Sequence, residues 1–359
     1  MAYKGRVIFL RQEQDKLYYS SLFPKGKTEP ELDSSTGKSS TTKSTTTAAS
    51  TATDTSPELF SSATSTLALI NDYFNLDVKL SSLYSDWAKC DSHFSKKSGE
   101  FPGIRILRQD PWENVCSFIC STNNNIKRIS QMVDNLCIHF GDYIATHEGV
   151  AYYDFPKPHQ LNDPSVEAKL RSLGFGYRAK YIYKTAVMVS TPTDSSSDGL
   201  PALFNLRNLS YEEAHEELLK FSGVGPKVAD CVCLMSLDKH DCVPVDTHVW
   251  QIAQRDYKYG RKYKTLNKVA YDDIRIFFRD LWGPYAGWAH SVLFTADLRD
   301  LNNGVNTTTT PTPPPAEGKP VKQEHKILTD DQPHPKRLKT TSPNILKRGR
   351  PAVVKVEAN

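Results

Sequence analysis

The stretch FSGVGPKVADCVCLMSL, Phe221 to Leu237, reads as a helix end, a tight turn and the start of a second helix. Upstream, SYEEAHEELLKF supplies the first helix, opened by a capping box of Ser210 with Glu213. Gly223 and Gly225 permit a turn that passes through positive φ. Pro226 stands at the first helical position, where its missing N–H costs nothing. The unpaired amides around Gly223, Gly225 and Val228 then face outward at a helix N-terminus, an arrangement that binds a phosphate without basic side chains. A Gly-x-Gly turn also serves as an ordinary connection between helices, so the turn alone leaves both readings open.

Lys227 is the sharper feature. It falls in the first turn of the second helix, where the helix dipole disfavours an ammonium, and partial burial adds to that. A lysine tuned in this way acts as a neutral amine nucleophile and forms a Schiff base. A solvated first-turn lysine is the commoner fate of the residue. VPVDTHVWQIAQR, Val243 to Arg255, changes the weighing. Asp246 caps a helix with Val249, Ile252 and Ala253 on one face. A carboxylate fixed by capping and set opposite an amine would stabilise positive charge on a sugar ring and relay protons. His248, in the same turn, suits either a phosphate contact or a plain surface position.

Composition narrows the class. The 359 residues suit two domains, or one large domain with tails, and the apolar fraction of 38% is diluted by two polar segments. Net charge is +4, of which residues 302–359 contribute +5. The rest is close to neutral, so nucleic-acid affinity has to come from a local patch or from backbone amides. Seven cysteines, an odd number without any CxxC, point to buried thiols in a reducing compartment. No apolar run is long enough to span a membrane, and the first residues do not resemble a signal peptide.

The fold expected is mainly α with a small antiparallel β N-terminal domain. Residues 3–22 read as strand, turn, strand, and residues 27–57 as a disordered Ser/Thr-rich insert within an N-terminal unit, 1–108. A helical core follows over 109–301, containing the hairpin at 211–237. It opens with Asp110 as N-cap and Pro111 at the first helical position, and NNNIKRISQMVDNLCIHFG continues it to a stop at Gly141. The tail, 302–359, is basic and proline-rich and expected to be disordered. Its clusters PKRLK and LKRGRPA read as a nuclear address, and RGRP also resembles an A·T minor-groove hook.

GVGPKVADCVCLMSLDK with VPVDTHVWQIAQRDY resembles the helix-hairpin-helix DNA glycosylases. GIRILRQDPWENVCSFICSTNNNIKRI, LGFGYRAKYI and LWGPYAGWAHSVLFTADLR narrow the likeness to eukaryotic 8-oxoguanine DNA glycosylases. The match runs from about Leu69 to Arg299, with a weaker one over the first two dozen residues. The resemblance implies that Lys227 attacks C1′ of the damaged nucleoside and holds the sugar as a Schiff base, that β-elimination then nicks the strand, and that Asp246 assists both steps. The base leaves the stack to be reached. Phe294 would stack on it, with His290, Cys231, Met235 and Asp297 lining its pocket; Cys231, four residues after Lys227, shares its helical face. Asn123, Arg128 and Arg178 would meet the cytosine left behind, and Tyr177 would wedge into the stack. Taken singly, most of these positions also suit polar loops or plain core; it is their order that carries the reading. No cofactor or metal is implied. The expected partner is double-stranded DNA containing oxidised guanine, met by a monomer in the nucleus, with a mitochondrial pool possible.

Two departures stand out. The family reads the Watson–Crick edge with Gln where this chain has His290, which can still donate and accept. The family's N-terminal Gly-Gln-x-Phe-Arg-Trp strand has no counterpart before MAYKGRVIFL; either the sequence begins downstream of it, which is the expectation, or the strand has been lost. Two rivals remain. A glycosylase for oxidised pyrimidines often carries a C-terminal four-cysteine cluster, and no cysteine follows Cys242 here. A non-catalytic DNA-binding module would leave the Lys227–Asp246 combination unexplained.

Overall fold

The computed structural model describes residues 1–13, 16–28, 64–191 and 199–302. The Ser/Thr-rich stretch at 27–57 and the tail at 302–359, with both basic clusters, fall outside these residues except at their first positions.

The N-terminal residues form a three-stranded antiparallel sheet of β1 (Ala2–Tyr3), β2 (Arg6–Gln12) and β3 (Leu17–Leu22); β2 and β3 are the strand–turn–strand expected from the sequence, and β1 is a further short strand that it did not reveal. Lys4 and Gly5 make the first turn with φ of +49° and +76°, the two-residue geometry that matches strand twist. Alternation along β2 serves two faces. Ile8 packs with Leu69, Ile70 and Phe74 of the segment around α1 (Thr66–Tyr73), while Val7 packs with Ile144 and Ala145.

Those last two residues belong to a hairpin, β4 (Tyr143–His147) and β5 (Val150–Tyr153), inside the stretch read from the sequence as helical. Glu148 and Gly149 turn it with φ of +50° and +76°. DYIATHEGVAYY is rich in β-branched and aromatic residues around a turn dipeptide, so the local signal was present but short.

The helices are α2 (Leu80–Cys90), α3 (Ser92–Ser98), α4 (Pro111–Ser121), α5 (Ile126–Phe140), α6 (Pro164–Ser172), α7 (Arg178–Ser190) and α8 (Gly199–Asn205). After them come α9 (Tyr211–Leu219), α10 (Pro226–Ser236), α11 (Thr247–Arg255), α12 (Lys268–Trp282) and α13 (Ala286–Asn302). Their starts follow the capping chemistry legible in the sequence. Asp110 accepts from the amides of Trp112 and Glu113 at 2.9 and 3.2 Å, with Pro111 behind it. Ser210 and Glu213 form the expected reciprocal box.

One large core runs from Leu80 of α2 to Leu293 of α13, so α2 and α3 pack into the helical body although they lie before residue 109. Trp87 and Phe94 meet edge-on at 5.4 Å within it. Burying such a side chain contributes about 1.5–3 kcal/mol, which explains why these helices join the larger cluster. All seven cysteines are free thiols, and only Cys90 is exposed.

Candidate active site

α9 and α10 form the expected hairpin. Gly223 has φ +82°, and a Cβ there would come 2.5 Å from Cδ2 of Tyr181 on α7. Gly225 is the N-cap of α10 in extended conformation, and no atom lies within 4 Å of where its Cβ would stand. One glycine is thus required by the fold, whereas the other leaves an open approach to backbone. Ala229 N–H bonds back to the Gly225 carbonyl at 2.9 Å; the amides of Lys227 and Val228 precede it and point along the helix axis. Val228 itself turns its side chain into the core.

Lys227 is half-buried, its Nζ 5.1 Å from the ring centre of Phe118 on α4. Cys231, one turn along α10, is buried; burial pushes its thiol up to about 11, against the pull of the Lys227 charge beside it. Met235 lies a further turn on, half-buried, with its carbonyl accepting from Gln109 N–H at 2.8 Å.

Asp246 caps α11, one oxygen accepting from the amides of His248 and Val249 at 2.9 and 3.0 Å. Its second oxygen is not used by the cap, so the carboxylate is oriented by its helix and still presents an acceptor. His290, on α13, is 7% exposed, and neither ring nitrogen has a hydrogen-bond partner. Burial pushes this imidazole down to about 4; Asp246 opposes that shift, Lys227 adds to it, and the Gly287 carbonyl is close enough to favour the charge slightly. Lys227, Cys231, Asp246 and His290 therefore share one electrostatic neighbourhood. Phe294 adjoins it, 5.8 Å from the His290 ring and 5.9 Å edge-on from His248.

Asp297 is held by two residues of α11. It is 4% exposed, accepts from Arg255 at 2.9 Å and lies 3.7 Å from Nδ1 of His248. Burial opposes its ionisation, but His248 and Arg255 outweigh it and hold it below the usual carboxylate range, while Asp297 raises His248 in turn. Arg255 and Asp297 thus tie α11 to α13, and His248 lies edge-on to Phe294 beside them.

The residues expected at the strand opposite gather around the loop between α4 and α5 and the start of α7. Asn123 has φ +46°, a conformation Asn tolerates, and is exposed. Its carbonyl accepts from Arg178 at 3.0 Å, and the Thr122 carbonyl accepts from Nε of Arg178 at 3.2 Å, from Nη2 of the same guanidinium, and from the Tyr177 hydroxyl at 3.2 Å. Arg178 is 3% exposed, so its charge faces inward onto the loop. Arg128, held at the start of α5 by the Asn125 cap, reaches the Gly174 carbonyl at 2.9 Å and remains exposed. Tyr177 is 45% exposed, with Arg178 stacked 4.5 Å from its ring.

Two residues that sequence reasoning passed over join these parts. Tyr181 lies 5.8 Å from Tyr177 and against Gly223, so it links the Asn123 loop to the hairpin. Phe118 underlies Lys227 but reads in the sequence only as one more apolar helix position. A depression of about 660 Å³ between Asp238, His240, Arg279 and Tyr285 contains none of the expected site residues. Among the described residues no His, Cys, Asp and Glu cluster suits a metal ion, and no helix is long and apolar enough to cross a membrane.

Residues 1–115 match the profile of the 8-oxoguanine DNA glycosylase N-terminal domain, and residues 116–272 that of the HhH-GPD superfamily base excision DNA repair proteins. The chain is 44% identical over 257 residues to the N-glycosylase/DNA lyase of Saccharomyces cerevisiae, covering 66% of this chain and 68% of that one. It is 40% identical over 241 residues to the N-glycosylase/DNA lyase OGG1 of Arabidopsis thaliana, and spans 64% of that relative's length. Among solved structures, the Clostridium acetobutylicum 8-oxoguanine glycosylase/lyase, in complex with double-stranded DNA containing cytosine opposite 8-oxoguanine, superposes with a TM-score of 0.55 at 32% identity, over 65% of this chain and 74% of that one. With its helix-hairpin-helix fold and these relatives, the chain belongs to the 8-oxoguanine DNA glycosylase family of N-glycosylase/DNA lyases within the HhH-GPD superfamily.

Proposed function

We propose that this chain excises 8-oxoguanine opposite cytosine from duplex DNA and then nicks the strand, with Lys227 as nucleophile. The Lys227 amine attacks C1′ while the C1′–N9 bond breaks and the base leaves with the bonding pair. Loss of the amine proton and opening of the sugar ring yield the imine. Removal of a C2′ proton then expels the 3′ phosphate, and water releases the lysine. Asp246 stabilises the positive charge that develops on the sugar and relays protons. What supports this reading is the place of Lys227 in the first turn of α10, next to the open approach at Gly225, together with an Asp246 carboxylate whose second oxygen its cap does not use.

The remaining roles are those the family likeness suggests. The amides around Gly223, Gly225 and Val228 hold a phosphate, as does His248 at its exposed edge. The flipped base lies between Phe294 and Cys231, with Met235 beyond; His290 meets its edge, and Asp297 acts by holding His248. Asn123 and Arg128 face the unpaired cytosine, their loop held by Arg178, and Tyr177 enters the stack. The enzyme works as a monomer, with the sheet-bearing segment 1–108 and the helical segment 109–301 acting together and the basic clusters of the tail serving as a nuclear address.

Borohydride trapping on an 8-oxoguanine·cytosine duplex tests the assignment. The wild-type protein is expected to give a covalent adduct and K227Q none. Folded wild-type protein without an adduct defeats the activity, and an equal adduct with K227Q defeats the choice of lysine.

A further inference from the structure

We propose that Tyr271 is a positioning residue which, through Asp230, fixes Asp246 relative to Lys227; the proposal rests on the roles given to those two residues above. Asp230 lies on α10, three residues after Lys227, and is wholly buried. One of its oxygens accepts from the Tyr211 hydroxyl at 2.7 Å, with Nε2 of His215 at 3.5 Å. The other accepts from the Tyr271 hydroxyl at 2.5 Å.

Tyr271, on α12, also accepts the backbone N–H of Val245 at 3.4 Å. Val245 immediately precedes Asp246 and is 1% exposed, so no water replaces that bond. A phenol has one proton and free lone pairs. Tyr271 commits its proton to Asp230, so it can only accept at Val245. Burial, reinforced by the Asp230 charge, raises its pKa and keeps that proton in place. A second tie reinforces the first: the Cys242 thiol donates to the Asp230 carbonyl at 3.4 Å. The connection from α10 to Asp246 is therefore fastened twice to the residue that shares a helical turn with Lys227.

A buried network of this kind fixes geometry, because its polar groups are satisfied by one another and not by solvent. Misplacement of a reacting group by about 1 Å costs up to about 10²-fold in rate. Tyr211 supplies the matching control. Its hydroxyl donates to the other oxygen of Asp230 at 2.7 Å, on the side away from Tyr271.

The test is single-turnover excision with enzyme in excess, at a temperature well below each variant's unfolding midpoint. Y271F is expected to lose about tenfold in excision rate with its DNA dissociation constant within about twofold of wild type, and Y211F less than about twofold in rate. In an Asp246→Asn background, Y271F is expected to cause no further loss. A wild-type rate for Y271F, an equal loss in Y211F, or losses that multiply in the double variant overturn the proposal. If Y271F does not fold, Tyr271→His takes its place: the shorter ring cannot span both partners, so its rate stays low, and a wild-type rate overturns the proposal. Full activity in K227Q or D246N defeats the site assignment instead, a separate outcome.

Discussion

Arg178 donates to the carbonyl of Asn123 at 3.0 Å, across 55 residues of sequence, and thereby joins the start of α7 to the loop between α4 and α5. The same guanidinium serves the Thr122 carbonyl, so one buried cation sets the left-handed turn that presents Asn123 to solvent. Arg178→Ala leaves those carbonyls without their charged donor. It is expected to cost about 1.5–3 kcal/mol in denaturant unfolding and to weaken duplex binding. Arg178→Lys should recover only part, because a point charge cannot reproduce the planar fork. Unchanged affinity in the alanine variant would show that the loop holds its shape by itself.

The two hairpin glycines separate fold from function. Gly223→Ala places a methyl against Tyr181 at a positive φ, and should destabilise the protein by about 1–3 kcal/mol. Gly225→Ala meets no protein atom and should leave stability within about 0.5 kcal/mol, yet weaken DNA binding by covering the approach to the amides. Paired unfolding and binding curves check this; equal behaviour of the two variants contradicts it.

Asp246 has two tasks that chemistry can divide. Asp246→Asn keeps a capping oxygen, so its stability should stay close to wild type while excision falls steeply. Asp246→Ala should lose the activity and also about 1 kcal/mol of stability. An active Asn variant would reduce Asp246 to a cap.

His290 makes stability sensitive to acid. Its folded pKa is about 4, against 6.5 for the free side chain, because burial disfavours the charge. The unfolded chain therefore takes up a proton before the folded one. The associated stability is complete above about pH 6.5 and drains away as pH falls towards 4. H290Q, which cannot titrate, should show a shallower loss of denaturation midpoint between pH 7 and pH 4.5. Parallel curves for the two proteins would rule this out.

Much of this could be read from the order of residues. Capping at Asp110, Ser210 and Asp246, the proline at the start of α10 and the strand pair at the N-terminus depend on contacts within a few residues, which sequence encodes directly. The family likeness added the roles of distant positions. The hairpin of β4 and β5 was obscured because its signal spans about ten residues inside a helical stretch, and its stability comes from Val7, far away in the chain.

By itself, then, the sequence determined helices α4, α5 and α9 to α11, the caps at Asp110, Ser210 and Asp246, the helix hairpin and the identity of Lys227 as its singular residue. Only the tertiary structure decided which side chains surround that lysine. Phe118 below it, the buried His290 nearby, the inward turn of Arg178 and the bond from Val245 N–H to Tyr271 all join residues from separate elements. Such contacts follow from packing several helices into one core, where burial and hydrogen-bond satisfaction are settled jointly, and no local pattern records them.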